Sequence, residues 1–433
     1  MISVKTPMPS PRRRILYFTS FFVSQGGASL SFLKLFEAFN RGNFEAFAVV
    51  PEEARAQIAQ QQLSAELTSR LHYLRIDRIS RQLLHPVRLL RFIGRAITGV
   101  LVLRRMLRQL RIEVVHANDL RDFHAPLAAW SCGVPVVWHL RASRPNPFTR
   151  YPVATMIHLF ATKIVAVSHC TARQMVLKRS FVQNKVAVIY NPGPYREKFH
   201  SRIDGAPLRR AFGFTPEAPV ITMIAKLSRR KGHMVFVQAL PLIRAQIPAA
   251  RFLIVGGELE GHEDYARALR AQAEPFVRDG ILLFAGERND VPQIMAASDV
   301  IVQSSLCQDA FPGVVLEAMA TGRVVVACNA GGIPEQITDG EDGLLFIMGD
   351  AHDLARQVIR VLSNPAFKEE LAHAAARNLD HKFNFDKFVR EFAELYQTLK
   401  IAPGARRENS VDAPLPGRRE AVSVNKKMEA SSI

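Results

Sequence analysis

One pattern occurs twice in this chain and restricts its fold more than anything else. Short apolar runs, rich in Val and Ile, alternate with longer stretches of helical periodicity. The first series of runs is 15–18, 44–50, 72–74, 114–117, 136–139, 164–167 and 185–189. The second is 220–224, 251–255, 281–284, 300–302 and 324–327. Continuously apolar runs suit strands buried on both faces, and strands separated by helices suit parallel sheets. Between the series, 191–218 is rich in Pro, Gly and Arg and has no long periodic element, which reads as a linker. The fold class expected is therefore α/β, with two Rossmann-like doubly wound domains facing across a cleft. A length of 433 residues accommodates two such domains. The expected boundaries are a disordered arm at 1–13, an amino domain at 14–190, the linker at 191–218 and a carboxyl domain at 219–382. A final amphipathic helix at 383–400 and a disordered tail at 401–433 complete the chain.

In parallel sheets, ligands sit beyond the carboxyl ends of the strands. In the first series, the run 15–18 leads to Ser24-Gln25-Gly26-Gly27-Ala28 and then a helix. A glycine pair there lets the backbone approach a phosphate, although it also suits tight packing alone. His116, Asn118 and Asp119 follow another run, His139 and Arg141 a third, and Ser168 and His169 a fourth. By position they make a polar wall. In the second series, Lys226 and Lys231 flank Arg229 and Arg230 just after the run 220–224, a cluster suited to a diphosphate. The stretch SSLCQDAFPGVVLEAMATGR begins at Ser304. Its Pro312 and Gly313 open a helix, so the N–H groups of Gly313, Val314 and Val315 are expected free for an anion. Asp309 and Glu317 flank that point, and paired carboxylates accept hydrogen bonds from sugar hydroxyls. An ordinary loop-to-helix junction with solvated acids is the plainer alternative.

The formal net charge of +18 favours anionic partners: nucleotide phosphates, acidic lipid or nucleic acid. No zinc-finger or RNA-module pattern supports nucleic acid. The stretch 75–111 carries Arg75, Arg78, Arg81, Arg88, Arg91, Arg95, Arg104, Arg105, Arg108 and Arg111, with Asp77 as its lone acid short of Glu113. Apolar residues fill the intervals at helical spacing. Such a segment suits an anionic membrane surface, or else a solvated basic face on a core helix. No apolar segment precedes Ile15 and no uncharged apolar run reaches spanning length, so neither a cleaved leader nor a transmembrane helix is expected. Cys132, Cys170, Cys307 and Cys328 lack CxxC spacing, and three of them sit in or beside apolar runs, so buried free thiols in a reducing compartment are the expectation.

Taken in order, AKLSRRKG, the Gly256-Gly257 turn, FAGERNDVPQIMAASDVIVQSS, QDAFPGVVLEAMATG and AGGIPEQITDGEDGLLF resemble family 4 glycosyltransferases, over roughly 14–400. The resemblance implies a GT-B fold and a retaining transfer from a nucleotide-diphosphate sugar to a hydroxyl acceptor. It implies that Glu317 holds the donor ribose and that Asp309, where the family usually has Glu, contacts the donor sugar. Lys231 would hold the diphosphate, and Lys226 stands where Arg is common. Gly26 and Gly27 would approach the phosphates, while Gly256 and Arg288 would line the base pocket. Asn118 falls where many members carry a His near the reacting centre, with Asp119 and His116 beside it. His139, Arg141, Ser168 and His169 remain acceptor-side candidates. The resemblance further implies no cofactor, no required metal and a glycan or lipid-linked acceptor; the cysteine usage, the lack of a leader and the basic stretch 75–111 suggest a cytoplasmic enzyme, peripheral on the inner membrane. A nucleotide-sugar epimerase or a catalytically degenerate scaffold could share this fold; release of free nucleoside diphosphate on acceptor addition separates the three.

Overall fold

Burial on both faces explains why the apolar runs became parallel strands. A computed structural model describes residues 12–22, 27–40, 44–60, 63–76, 85–142, 146–175, 184–194 and 196–400. Gly26, Arg78, Arg81, most of the expected arm and the expected tail lie outside the described residues. The first sheet contains β1 (Arg13–Phe18), β2 (Phe44–Pro51), β3 (Leu71–Leu74), β4 (Val114–Ala117), β5 (Val136–Leu140), β6 (Lys163–Ala166) and β7 (Val186–Val188). Its order is β3-β2-β1-β4-β5-β6-β7. The helices of this half are α1 (Gly27–Ala38), α2 (Arg55–Ala59), α3 (Ala65–Ser69), α4 (Pro86–Gln109), α5 (His124–Trp130), α6 (Pro147–Phe160) and α7 (His169–Met175).

The second half opens with α8 (Ala206–Ala211) and β8 (Val220–Ile224), followed by α9 (His233–Gln246) and β9 (Arg251–Val255). Next come α10 (Glu263–Arg278), β10 (Leu282–Gly286), α11 (Val291–Ala297) and β11 (Val300–Gln303). They lead to α12 (Gly313–Ala320), β12 (Val324–Cys328), β13 (Leu344–Phe346), α13 (Ala351–Leu362), α14 (Pro365–Lys382) and α15 (Phe385–Thr398). The sheet order is β10-β9-β8-β11-β12-β13, with parallel pairing throughout. Both sheets are Rossmann-like, as expected for GT-B.

Each sheet has one switch point. From β1 the chain steps outward through β2 and β3, then returns to β4 on the other side of β1. In the second sheet the same reversal falls between β8 and β11. Loops diverge above such a point and leave a crevice at the strand carboxyl ends. Ser20 and Asn118 border the first crevice; Lys226 and Ser304 border the second.

The described chain falls into two compact units. One runs to Val165 and includes Met175–Ala187 and the chain from Glu391 onward; the other is Ala166–Gln174 with Val188–Arg390. The last helix thus begins in one unit and ends in the other. Its terminal turns are built into the first. Tyr396 is wholly buried there, edge-on to Phe39 at a centroid distance of 5.2 Å. Its hydroxyl lies 3.1 Å from that of Tyr17 and 2.7 Å from Nδ1 of His116. Arg13 donates to the carbonyls of Tyr396 and Leu399, satisfying groups that a helix end leaves open. For that reason β1 begins at Arg13, inside the arm that the sequence suggested.

Three other details differ from the sequence reading. The expected linker contains α8, held by Arg209, whose guanidinium lies 2.6 Å from Asp299 and also bonds the carbonyls of Ala297 and Ala218. Strand β13 was not foreseen, because three apolar residues after a glycine carry too little periodicity. Of the four free cysteines, Cys328 alone is buried; Cys132, Cys170 and Cys307 are half-exposed.

Tyr396→Phe removes a hydroxyl that serves two buried partners. Urea unfolding should show a loss of about 1–3 kcal/mol with an unchanged slope, the usual cost of stranding buried polar groups. An unchanged midpoint would show that this hydroxyl adds nothing.

Candidate functional site

In the second unit the turns after β8, β9, β11 and β12 crowd together, and glycines make this feasible. Gly232 has φ 76°, and a Cβ there would sit 1.9 Å from the Ser304 carbonyl oxygen. At Gly256 a Cβ would meet the Ala225 carbonyl at 2.0 Å. Gly331 and Gly332 lie equally close to the carbonyls of Asp309 and Ala310, and Gly332 N–H donates to Asp309 O at 2.8 Å. Side chains at these positions would force the turns apart.

The crowding brings Lys231 and Asp309 together. Lys231 Nζ lies 2.6 Å from Asp309 Oδ2, which also accepts from Ser305 Oγ at 3.1 Å. Both side chains remain partly accessible, so the cation can exchange its partner for an anionic ligand. Lys226 lies 3.4 Å from Glu287 in a more exposed pair. Arg288 forks onto Asp290 at 2.5 and 2.8 Å, which raises the arginine pKa and lowers that of the aspartate. Helix α12 starts at Gly313 after Pro312, and Val314 and Val315 form its first turn. Val315 N–H is not free, as the sequence suggested, but makes a long 3.4 Å contact with the Pro312 carbonyl. Glu317 sits one turn on, its carboxylate 3.5 Å from where a Cβ on Gly313 would lie.

Two residues that the sequence reading missed support this arrangement. His233 is fully buried and its Nε2 lies 3.3 Å from the Ala225 carbonyl, so the ring braces the loop that carries both lysines. Burial lowers its pKa to about 4 and keeps it neutral. Glu335 accepts the backbone N–H groups of His169 and Cys170, each at 2.7 Å, and the Tyr190 hydroxyl at 3.2 Å. It occupies the start of α7, so Ser168 and His169 belong to the second unit. The motif IPEQ gave no sign of this, because its partners lie far away in sequence.

In the first unit the switch point is organised by Asp122, also missed. Its Oδ1 accepts from Ser20 N at 2.8 Å and Ser20 Oγ at 2.6 Å, and its Oδ2 from Asn118 N at 3.0 Å. One carboxylate thereby ties the turn after β1 to the turn after β4. Asn118 Oδ1 accepts from Arg141 Nε at 2.7 Å. Burial lowers the Arg141 pKa to about 9. Asp119 accepts from Arg121 through both backbone N–H and Nε, each at 3.0 Å. Helix α1 begins at Gly27.

Three acceptor-side candidates need correction. Ser168 is fully buried, its Oγ donating to Thr171 Oγ1 at 2.9 Å. His116 and His139 are fully buried and so do not line a surface. They bond each other at 3.2 Å, and His116 continues to Tyr396. Desolvation, with Arg141 adding to it, pushes both imidazoles well below their ordinary pKa, so they stay neutral. Among the described residues, no group of three or more His, Cys, Asp or Glu could hold a metal, and no helix is long and apolar enough to cross a membrane.

Comparison with known proteins agrees with this architecture. The profile described as Glycosyl transferases group 1 matches residues 218–364, and that of Glycosyltransferase Family 4 matches 25–192. The Pyrococcus horikoshii trehalose synthase is 28% identical over 43% of this chain, and the match spans about half the relative's length (46%). The Escherichia coli UDP-Gal:alpha-D-GlcNAc-diphosphoundecaprenol alpha-1,3-galactosyltransferase is 27% identical over 69% of this chain and 78% of its own length. The crystal structure of Anabaena HepE in complex with UDP and glucose has a TM-score of 0.72 at 22% identity, covering 90% of this chain and all of that one (100%).

Asp122 also makes the site sensitive to pH. Burial, then the nearby Asp119, raises its pKa from 3.8 to about 7 against the pull of its hydrogen bonds. A carboxyl whose folded pKa exceeds its unfolded value stays protonated in the native state after the unfolded chain has ionised. Its contribution to stability therefore falls as pH rises from about 4 to 7 and is level above that. Urea unfolding of the wild type and Asp122→Asn across pH 4–8 should show the difference between them shrinking over that window. A difference independent of pH would mean that Asp122 ionises normally.

Proposed function

The chain belongs to glycosyltransferase family 4, the group 1 glycosyl transferases, and we propose that it moves a hexose from a UDP-sugar to a hydroxyl acceptor with retention of configuration. The observation that carries the proposal is the accessible Lys231–Asp309 pair beside the N-terminus of α12 at the second switch point. In the resting site the two charges satisfy each other. A donor would divide them: Lys231 would turn to the diphosphate, and Asp309 would accept from the sugar hydroxyls. Lys226 would add a second cation, and Glu317 would take the ribose hydroxyls. Gly256 and Arg288 would border the base.

The chemistry follows from charge. As the anomeric C–O bond breaks, negative charge builds on the diphosphate, and fixed cations with helix N–H groups stabilise it. The acceptor oxygen attacks the anomeric carbon on the face that the diphosphate leaves. Its proton passes to the departing phosphate oxygen, and UDP is released. Asp119, next to the buried Asn118 that Arg141 holds, would meet the acceptor at the first switch point. A lipid-linked acceptor is favoured by the diphosphoundecaprenol substrate in the name of the Escherichia coli relative and by the chain's own basic charge. On this reading the enzyme works at the cytoplasmic face of the inner membrane. The first experiment is a screen of nucleotide sugars for thermal stabilisation, followed by an assay for UDP release with polyprenyl-diphosphate sugars. UDP binding without acceptor-dependent UDP release would leave a donor-binding scaffold, and interconversion of donor sugars would mark an epimerase.

Lys231→Ala should lower kcat about 100-fold at saturating donor, the scale of removing one electrostatic stabiliser. Turnover close to wild type would refute the diphosphate assignment. Glu317→Gln should weaken UDP binding about tenfold in calorimetry, since an amide oxygen replaces a charged acceptor. Unchanged affinity would remove Glu317 from the ribose site.

A further inference from the structure

Among the described residues of the first unit, every large apolar side chain that stays exposed sits on one of three helices. Leu90, Ile97 and Leu101 lie on α4, Trp130 ends α5, and Phe148 and Tyr151 lie on the first turns of α6. These helices form a single layer. The crossovers β3 to β4, β4 to β5 and β5 to β6 all step in the same direction across the sheet. Right-handed crossovers then put α4, α5 and α6 on the same face. Neighbours touch: α5 packs on both α4 and α6, and Trp130 meets Phe160 edge-on at 5.7 Å.

Core packing does not account for the exposed stripe. Helix α4 anchors itself through Leu103, Met106 and Leu107, near its carboxyl end. From residue 90 to residue 102 no side chain is buried, so more than half of this 24-residue helix carries its apolar residues outside the core. Charge narrows what could cover them. None of the three helices contains an Asp or Glu. Exposed Arg91, Arg95, Arg105 and Arg108 run beside the aliphatic stripe, and Arg150 lies beside Tyr151. A second copy of this face would set arginine against arginine. An anionic surface that is apolar just below its charges complements both features, and aromatic rings favour that boundary.

We propose that α4, α5 and α6 together form a face that docks on an anionic lipid bilayer. The helices lie in the plane of the interface, with Leu90, Ile97, Leu101, Trp130 and Phe148 below the headgroups and the arginines among the phosphates. The face extends past the arginine-rich stretch on α4 to two helices that carry almost no charge. Docking needs neither donor nor acceptor, so it stands or falls apart from the transferase reading.

The chain supplies its own reporter. It has two tryptophans: Trp138 is wholly buried in β5, whereas Trp130 is 66% exposed on the proposed face. The full chain is mixed with phosphatidylglycerol–phosphatidylcholine vesicles, or with phosphatidylcholine alone, across a salt series. Co-sedimentation should require the anionic lipid and should persist in part at high salt, because apolar burial is not screened. Tryptophan emission should shift to shorter wavelength on binding. Trp130→Phe should abolish that shift while the protein still sediments. The triple variant Arg91→Glu, Arg95→Glu, Arg105→Glu should lower partitioning at least about 100-fold, at roughly fivefold per basic residue lost. A thermal unfolding midpoint equal to wild type would show that this variant is folded. The proposal is overturned if the wild type stays in the supernatant with anionic vesicles at low salt. It is overturned equally if sedimentation leaves Trp130 emission unmoved, or if light scattering finds a dimer that buries Trp130.

Discussion

A parallel sheet must be covered on both faces, and the rest of this molecule follows from that. Helices take up the faces, so loops that can meet a ligand are confined to the carboxyl edge of the strands. The edge is crowded: four turns of the second sheet come within van der Waals range of one another around Gly232, Gly256, Gly331 and Gly332. Polar groups forced into such proximity must pair or pay for desolvation. The pairing of Lys231 with Asp309, and of Asp122 with Ser20 and Asn118, is the direct result. These contacts differ in one respect that matters for function. The lysine pair is partly exposed and free to exchange partners, whereas Asp122 is sealed and serves to hold two loops at a fixed separation.

Neutral buried histidines show the same constraint from the other side. His116 and His139 sit near the ends of β4 and β5, where a reader of the sequence looks for chemistry, and His233 opens α9. Desolvation keeps them uncharged, and each bonds inward. Position along the chain marks a residue as near the edge, but whether it lies inside the strand or past its end decides which groups it meets. His116 points inward with Tyr17 and Tyr396, and Asn118, two residues on, lies past the strand and is held by Arg141.

This separates what was legible in the sequence from what was not. Strands were legible, because a run such as 220–224 is apolar but for Thr222 and its bounds came out unchanged. The lysine cluster and the Asp309–Glu317 stretch were legible as a motif, since local order alone places them on one turn and one helix. The partners Glu335 and Asp122 were not. Glu335 acts across a separation of 166 residues from His169, and no local pattern announces it. Asp122 stands among other polar residues in HANDLRD, and its importance comes from burial, which composition does not reveal. The half-exposed cysteines misled for a related reason: proximity to an apolar run was taken for membership in it.

The distribution of charge connects the two halves of the chain to different tasks. In the second unit, cations are largely matched by acids close at hand: Arg209 and Lys368 share Asp299, Arg270 meets Glu258, Arg288 meets Asp290 and Arg356 meets Asp353. The switch-point lysines are paired as well, Lys231 with Asp309 and Lys226 with Glu287, and both pairs stay accessible enough for an incoming diphosphate to replace the carboxylate. In the first unit the balance is different, since α4 carries several arginines and α6 one, while none of α4, α5 and α6 contains an acid. The net charge of +18 is thus not spread evenly over a soluble surface. Exposed ion pairs contribute little to stability, and unmatched like charges on a helix disfavour it slightly. An acid-free layer of this size therefore gains nothing for the fold itself, and its physical rationale has to come from what the layer meets.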